Sequence, residues 1–598
     1  LRRIILATLL LWGITAPALF PLDTLRIDAT LDTVFHQVTG SVAYKIPVEP
    51  AAGTIEFQLF PNVYSSDSTP YMRRSPFALQ NKMGDSQYGK MTIDSVFFNG
   101  LNVSANFKVE YTRGTVALPQ GLKVAGGDLK IFFKTAIPSQ GDRLTYRGKE
   151  YLLDGWYPSP ARLLPDKSWY NPYYGGFSEL VGDYFHFDVS LKLPTGYVVA
   201  AAAPPALDSL AESGQIVKFF FGPAHDFPLV VSPFLKTDSL DCGKTRLRLF
   251  YHSNEVAALG EIRDVALKTL EYMNNKVGPY QYEYLNVALI DFSMAGGIEL
   301  PGLVILHSGT ANLVFGRMFR AVIVHEIVHQ WFYGMIGSDQ VESPWMDEAV
   351  SEFFTSEVLE EYWGGESNML DFAGFKLSDR NLRRFAAHFG GDGIKIAQPS
   401  YQFLNDLDYF SGNYSRGGLA IETVDNLMGD SLSGKFWREY YRRYLFQHPS
   451  EKDFLNLIGE IAGARLTELL REILHGDYNY DISLTNLRNE RLDSLTVRIE
   501  LICRKTGGLA FPIDYWVFLS NGDTLRGIWD GTIGAEAIEI ISDSFATGAV
   551  LDPEQKFAVD RDWLNNSLLL SGSSRPAMRL ASGLLFLLES VLSAVAGL

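Results

Sequence analysis

From about Asp23 to Thr237 apolar and polar positions alternate with period two. Leu25, Ile27, Ala29 and Leu31 form one such run, and Phe185, Phe187, Val189, Leu191 and Leu193 another. Clusters of Gly, Pro, Asn and Asp separate the runs, a spacing that predicts an antiparallel β domain. From about Leu247 the pattern turns mixed and then helical. Arg317 to Tyr333 and Pro344 to Trp363 are long enough for helices. The second has Ser343 as candidate N-cap, Pro344 at the first helical position and Gly364-Gly365 as a stop. Further helices are expected over Ser415 to Met428, Lys435 to Tyr444 and Glu451 to Leu474. After His475 alternation returns in Leu495, Val497, Ile499 and Leu501, then in Ile513, Tyr515, Val517 and Leu519. An Asn521-Gly522 hairpin turn follows, and the stretch reads as a small β-sandwich ending near Asp562.

Composition narrows the class. Of 598 residues, 47% are apolar and 20% charged, ordinary values for a soluble globular protein, and the length implies several domains. Disordered, collagen-like and many-span membrane chains are excluded. Lys+Arg number 52 against 69 Asp+Glu, a formal charge of −17 that argues against a nucleic-acid partner. Cys242 and Cys503, 261 positions apart, make neither a disulfide framework nor a thiolate metal site. Arg2-Arg3, an uncharged run from Ile4 to Phe20 and the small-x-small Ala16-Pro17-Ala18 fit a secretory signal peptide. An uncleaved anchor is the alternative, since 17 apolar residues just span a bilayer. At the other end Ser571 to Ser574 resembles a linker to the apolar run Leu580 to Leu598. Glu589 near its middle disfavours a simple span, leaving a docked helix or one lying in a membrane surface. The expectation is an exported protein, periplasmic or extracellular, with membrane association through an apolar terminus.

The chemistry concentrates in His325-Glu326-Ile327-Val328-His329. Residues four apart on a helix share a face, so both imidazoles can reach one ion, with Glu326 placed to take a proton from the attacking water. Glu348 follows 19 residues after His329 on the next expected helix. Two His and one carboxylate leave a tetrahedral zinc with one position for water. Upstream, Gly296-Gly297-Ile298-Glu299-Leu300 follows the apolar strand candidate Leu285 to Ile290. Downstream, Asn413-Tyr414-Ser415-Arg416-Gly417-Gly418 opens a helix. Glu352, one turn beyond Glu348, is a candidate partner for a zinc-bound histidine, with an exposed charge as the competing reading. Tyr409 is weighed as pocket-lining against core packing, and packing is preferred.

These segments together resemble the aminopeptidase N-like family of gluzincin zinc peptidases. The triad spacing is similar, Gln330-Trp331-Phe332 follows the second histidine as in that family, and Tyr414-Ser415-Arg416-Gly417 resembles its tyrosine-x-lysine-glycine motif. The resemblance implies a multidomain α+β protein. Residues 1–22 would be the signal peptide or anchor, 23–237 the N-terminal antiparallel β domain and 238–478 a thermolysin-like α/β zinc catalytic domain. Residues 479–564 would be the C-terminal β-sandwich and 565–598 the linker and apolar helix. The long helical C-terminal domain of many members is not expected. Two segments depart from the family. Its Gly-Ala-Met-Glu-Asn segment reads Gly-Gly-Ile-Glu-Leu, with Leu300 at the asparagine, and the N-terminal-domain glutamine that helps bind the substrate amine has no match. Trp156-Tyr157-Pro158 is the nearest candidate for that region.

The resulting expectation is a zinc metallopeptidase removing N-terminal residues from peptides. One zinc would be held by His325, His329 and Glu348, with Glu326 as base and Tyr414 stabilising the oxyanion. Glu299 would bind the substrate amine beside Gly296 and Gly297, which admit a peptide backbone. A zinc endopeptidase, or another zinc hydrolase of relaxed specificity, is the alternative. A non-catalytic binding protein on the same fold ranks below both.

Overall fold

The computed structural model describes residues 22–74, 87–175, 177, 179–211, 214–291, 296–307, 316–366, 368–372, 375–391, 393–508 and 510–571. The expectations for the apolar segments at 4–20 and 580–598 lie outside the described residues. Among the described residues no helix is long and apolar enough to cross a membrane.

Period-two alternation becomes strands as expected. In Thr24–Asp32, Leu25, Ile27, Ala29 and Leu31 all point into the core. That strand sits in an eight-stranded sheet, beside two four-stranded sheets that share its core. One pair departs from the antiparallel expectation, since Thr24–Asp32 runs parallel to Phe185–Leu193. Parallel neighbours need a long crossover rather than a hairpin, and the chain between them builds one of the smaller sheets and two strands of the other.

The region that carries the histidine pair is built on a five-stranded sheet ordered Lys236–Cys242, Thr245–Tyr251, Tyr284–Ile290, Leu303–His307 and Gly297–Leu300. The middle three are parallel and the two outer ones antiparallel, so Gly297–Leu300 forms an edge. Ile298 and Leu300 pack with Leu303 and Ile305 against Leu152, Ala200 and Val230 of the N-terminal sheets. Because side chains alternate along a strand, Glu299 faces the other way, toward the helices. Leu300 is therefore a core residue that seals the domain junction.

Helix boundaries differ from the periodic reading in several places, and the helices expected at Ser415 to Met428 and Lys435 to Tyr444 are one element, Gly417–Tyr444, kinked at Gly429 (φ 69°). The first helix is Gly316–Val328, shorter than expected, because the chain tightens at Tyr333 (φ 115°) and bridges Phe332 to Ile336. The second is Trp345–Trp363, without a Ser343 side-chain cap; Ser343 sits one residue too early, in a turn organised by Asp339. The stretch Glu451 to Leu474 breaks at Gly463 (φ 94°) into Glu451–Ala462 and Ala464–His475. The C-terminal strands form three- and four-stranded sheets whose last strand, Ser567–Leu569, lies beyond the expected end. Their inner face is continuous with the helical core, and Thr423 Oγ1 accepts from Val559 N at 3.1 Å.

Candidate metal centre

The helical repeat sets the first half of the site. His325 lies on the Gly316–Val328 helix, and His329 one turn on, its N–H still bonded to the His325 carbonyl at 3.2 Å. Their Nε2 atoms are 3.0 Å apart, and Glu348 Oε2 lies 3.5 Å from each. Ligand atoms of the three residues all fall within 4.8 Å of one another. Glu348 Oε2 is buried and has no hydrogen-bond partner. Burial pushes the Glu348 carboxyl up, but the two histidines outweigh it and hold the group at about 2, ionised. Two imidazoles and an ionised, unpartnered oxygen converging on one point fit a divalent cation such as zinc.

The imidazoles are oriented from behind. His329 Nδ1 lies 2.6 Å from Asp347 Oδ1 and 3.1 Å from the Phe332 carbonyl. Two acceptors place the proton on Nδ1, which leaves the Nε2 lone pair facing Glu348. His325 Nδ1 lies 3.3 Å from Glu352 Oε1, within ion-pair distance though not aligned as a full hydrogen bond. Glu299, His329 and Asp347 form a second acidic grouping within 4.8 Å. It lacks a second histidine, and its Asp347 is already spent on His329, so the first set is the better metal site.

Glu326 is buried beside the histidines. Burial, then the nearby Glu299 charge, raises its carboxyl to about 8. Gly297 lies directly against it, for a Cβ there would stand 2.5 Å from Glu326 Cγ. Gly296 adopts φ 102°, a conformation that L side chains rarely take. Tyr414 donates to Glu348 Oε1 at 2.5 Å and stacks on His325 with ring centres 5.6 Å apart. Burial and the Glu348 charge keep its phenol protonated, well above the usual tyrosine range. Tyr414 lies in a π-helical segment, Phe410–Arg416, rather than in the α-helix that begins at Gly417. Gly417 allows that helix to press on the Glu348 helix, since a Cβ would meet Ala349 Cβ at 2.7 Å.

Tyr409 is a packing residue, stacked on Phe177 at 5.3 Å and edge-on to Phe403 and Tyr414. Trp156 and Tyr157 belong to the N-terminal core, bonded to the Phe227 carbonyl and Asp226. What the N-terminal sheets bring toward Glu299 is instead a buried guanidinium, Arg143, paired with Asp154 at 3.1 Å and with Glu179. Glu299 is among the charges acting on it. Sequence reasoning missed Asp347, Ser351 (Oγ 3.0 Å from His329 Nδ1) and this Arg143 group. Asp347 could have been flagged as a second carboxylate beside Glu348. The Arg143 group carries no local signal, its members being up to 36 positions apart.

Residues 262–473 match the Peptidase family M1 domain. Probable aminopeptidase 2 of Sulfurisphaera tokodaii is 21% identical over 245 residues, 38% of this chain and 30% of that protein. Aminopeptidase N of Lactococcus lactis is 22% identical over 223 residues, 35% of this chain and 25% of that one. The matched stretch thus spans under a third of these relatives' length. Among solved structures, an M1 zinc metallopeptidase from Deinococcus radiodurans aligns with a TM-score of 0.54 at 16% identity, covering 76% of this chain and 93% of that one. Legionella pneumophila aminopeptidase A, in complex with aspartic acid, aligns with a TM-score of 0.65 at 12% identity, covering 90% and 59%. At such identities these two likenesses establish the shared fold.

Proposed function

We propose that this chain, which carries a peptidase family M1 domain, is a zinc-dependent metallopeptidase that removes N-terminal residues from peptides. The observation that carries the reading is the convergence of His325, His329 and the unpartnered Glu348 oxygen, with Glu326, Glu299 and Tyr414 packed around it. Zinc bound there supplies an activated water and polarises the scissile carbonyl. Glu326, buried beside the two histidines, is the carboxylate placed to accept the water's proton and pass it to the leaving amine. The Tyr414 hydroxyl, kept protonated, donates to the oxygen where negative charge develops. Glu299 is the carboxylate for a cationic α-amine, and Gly296, with nothing within 4 Å of where a Cβ would stand, leaves open space at that edge, whereas Gly297 packs against Glu326. A zinc endopeptidase is the second reading, favoured by the Leu300 core position, which removes one polar group from the amine site. Export is part of the proposal, supported by the composition of residues 2–20 alone.

The test compares one peptide with a free and an acetylated N-terminus on wild type and Glu299→Ala, with and without chelator. Wild type should cleave the free form strongly and lose activity with chelator, and the variant should lose most of the preference. Equal cleavage of both peptides by wild type, especially at internal bonds, refutes the exopeptidase reading.

A further inference from the structure

The two histidines are held differently. His329 meets Asp347, a buried carboxylate with no cationic partner among the described residues. His325 meets Glu352, whose side chain is 20% exposed and could swing into water. A third residue prevents this. Arg383, on the helix Asp379–Ala386, is 4% exposed. Its Nη2 donates to the Glu352 carbonyl at 2.5 Å and to Asp379 Oδ2 at 2.8 Å, and it is ion-paired with Glu352 Oε2 at 2.9 Å. Asp379 is in turn fixed by Ser356 Oγ at 2.5 Å, on the same helix as Glu348 and Glu352. Space for the Arg383 stem comes from Gly418, where a Cβ would meet Arg383 Cδ at 3.0 Å. Gly418 stands four residues after Tyr414. One guanidinium thus joins the Glu348 helix, its own helix and the start of the helix that follows Tyr414.

We propose that Arg383 is a positioning residue for the metal: it pins the Glu352 carboxylate against His325 Nδ1 and so holds that imidazole's Nε2 toward Glu348. Two carboxylates, Glu352 and Asp379, share its Nη2. Without the cation they repel, and Glu352, the more exposed, turns toward solvent. His325 then loses the carboxylate that stands 3.3 Å from its Nδ1 and attracts that edge of the ring, while His329 keeps Asp347. The expected defect is therefore weaker metal binding. Residues behind a metal ligand of this kind typically contribute about 10–100-fold in affinity.

The inference rests on His325, His329 and Glu348 being the zinc ligands, and the experiment separates the two claims. Wild type, Arg383→Gln, Arg383→Lys, Glu352→Gln and the Arg383→Gln/Glu352→Gln double variant are titrated with zinc against a competing chelator. The visible spectrum of each cobalt-substituted form is recorded, and the metal-free proteins are melted as a control of folding. Arg383→Gln and Glu352→Gln should each weaken zinc by about 10–100-fold and alter the cobalt spectrum. The double variant should be no worse than the weaker single one, because both remove the same link. Arg383→Lys, which keeps the cation, should recover most of the loss. Wild-type zinc affinity in a folded Arg383→Gln protein, or additive losses in the double variant, overturns the proposal. If Arg383→Gln does not fold, Glu352→Gln with unchanged affinity, or Arg383→Lys as defective as Glu352→Gln, overturns it equally. Failure of wild type to bind zinc would instead overturn the ligand assignment.

Discussion

On the proposed zinc-peptidase chemistry, adding one methyl group at Gly297 should abolish turnover without unfolding the protein or weakening metal binding. Gly297 lies in an extended edge strand with no positive φ, so alanine is compatible with the backbone. The new Cβ, however, would stand 2.5, 2.6 and 2.7 Å from Cγ, Cδ and Oε1 of Glu326. Ordinary contacts between such atoms begin near ~3.5 Å, so one partner must move by about 1 Å. The strand is bonded to Leu303–His307 and backed by Ile298 and Leu300 in the core, whereas Glu326 is a side chain with rotatable bonds. Glu326 therefore yields, and its carboxylate leaves the position needed to take the proton. A misplacement of about 1 Å costs on the order of 100-fold, about 2.7 kcal/mol in the barrier, and complete loss of a general base up to about 10,000-fold. Gly297→Ala should thus lower kcat by about 100-fold or more on an aminoacyl anilide. Zinc content should stay near one per chain, and the melting temperature should stay within a few degrees of wild type. Glu326→Gln is the reference, expected to keep zinc and lose nearly all turnover. A Gly297→Ala enzyme with kcat within threefold of wild type would refute the packing argument, and loss of zinc along with activity would refute the assignment of the effect to Glu326.

Other consequences follow from single groups. Tyr414→Phe should lower kcat by roughly 100- to 1,000-fold with little change in KM, whereas Tyr409→Phe should be mild; the reverse ranking in steady-state kinetics would move the oxyanion donor to Tyr409. His225, buried with Nε2 3.0 Å from the Tyr333 carbonyl, is lowered by burial to about 4 and stays neutral in the folded protein. The unfolded chain binds that proton near pH ~6.5, so stability should fall as pH drops from ~6.5 to ~4, by up to roughly 3 kcal/mol from this group; denaturant titrations should show a flatter pH dependence in His225→Gln. Burial pushes the Cys503 thiol up to about 12, whereas Cys242 is partly exposed. Iodoacetamide at pH ~8 should label the native protein at Cys242 alone and both cysteines after denaturation, as read by mass spectrometry.

The order of β, mixed and helical, then β regions was legible because side-chain period reports local backbone geometry. The same reasoning put His325 and His329 on one face: four residues make about one helical turn whatever surrounds them. Glu348 and Tyr414 were legible as residue types at characteristic separations, and their convergence required the folded chain. Gly417 and the adjoining Gly418 read in sequence only as part of a motif. Their use is spatial, bringing one helix onto Ala349 and making room for the Arg383 stem. Leu300 looked like a defect in the amine site until strand alternation turned it into the core opposite Glu299. Asp347 behind His329, Arg383 behind Glu352, and Arg143 with Asp154 and Glu179 near Glu299 were decided by tertiary structure alone. The difference has a physical origin. Helix and strand periods are set by bonds between near neighbours in the chain, so they survive in a one-dimensional reading. A buried charge, by contrast, must find its counter-charge wherever packing brings one, and Arg143 finds Glu179 across 36 positions of chain that no local pattern connects.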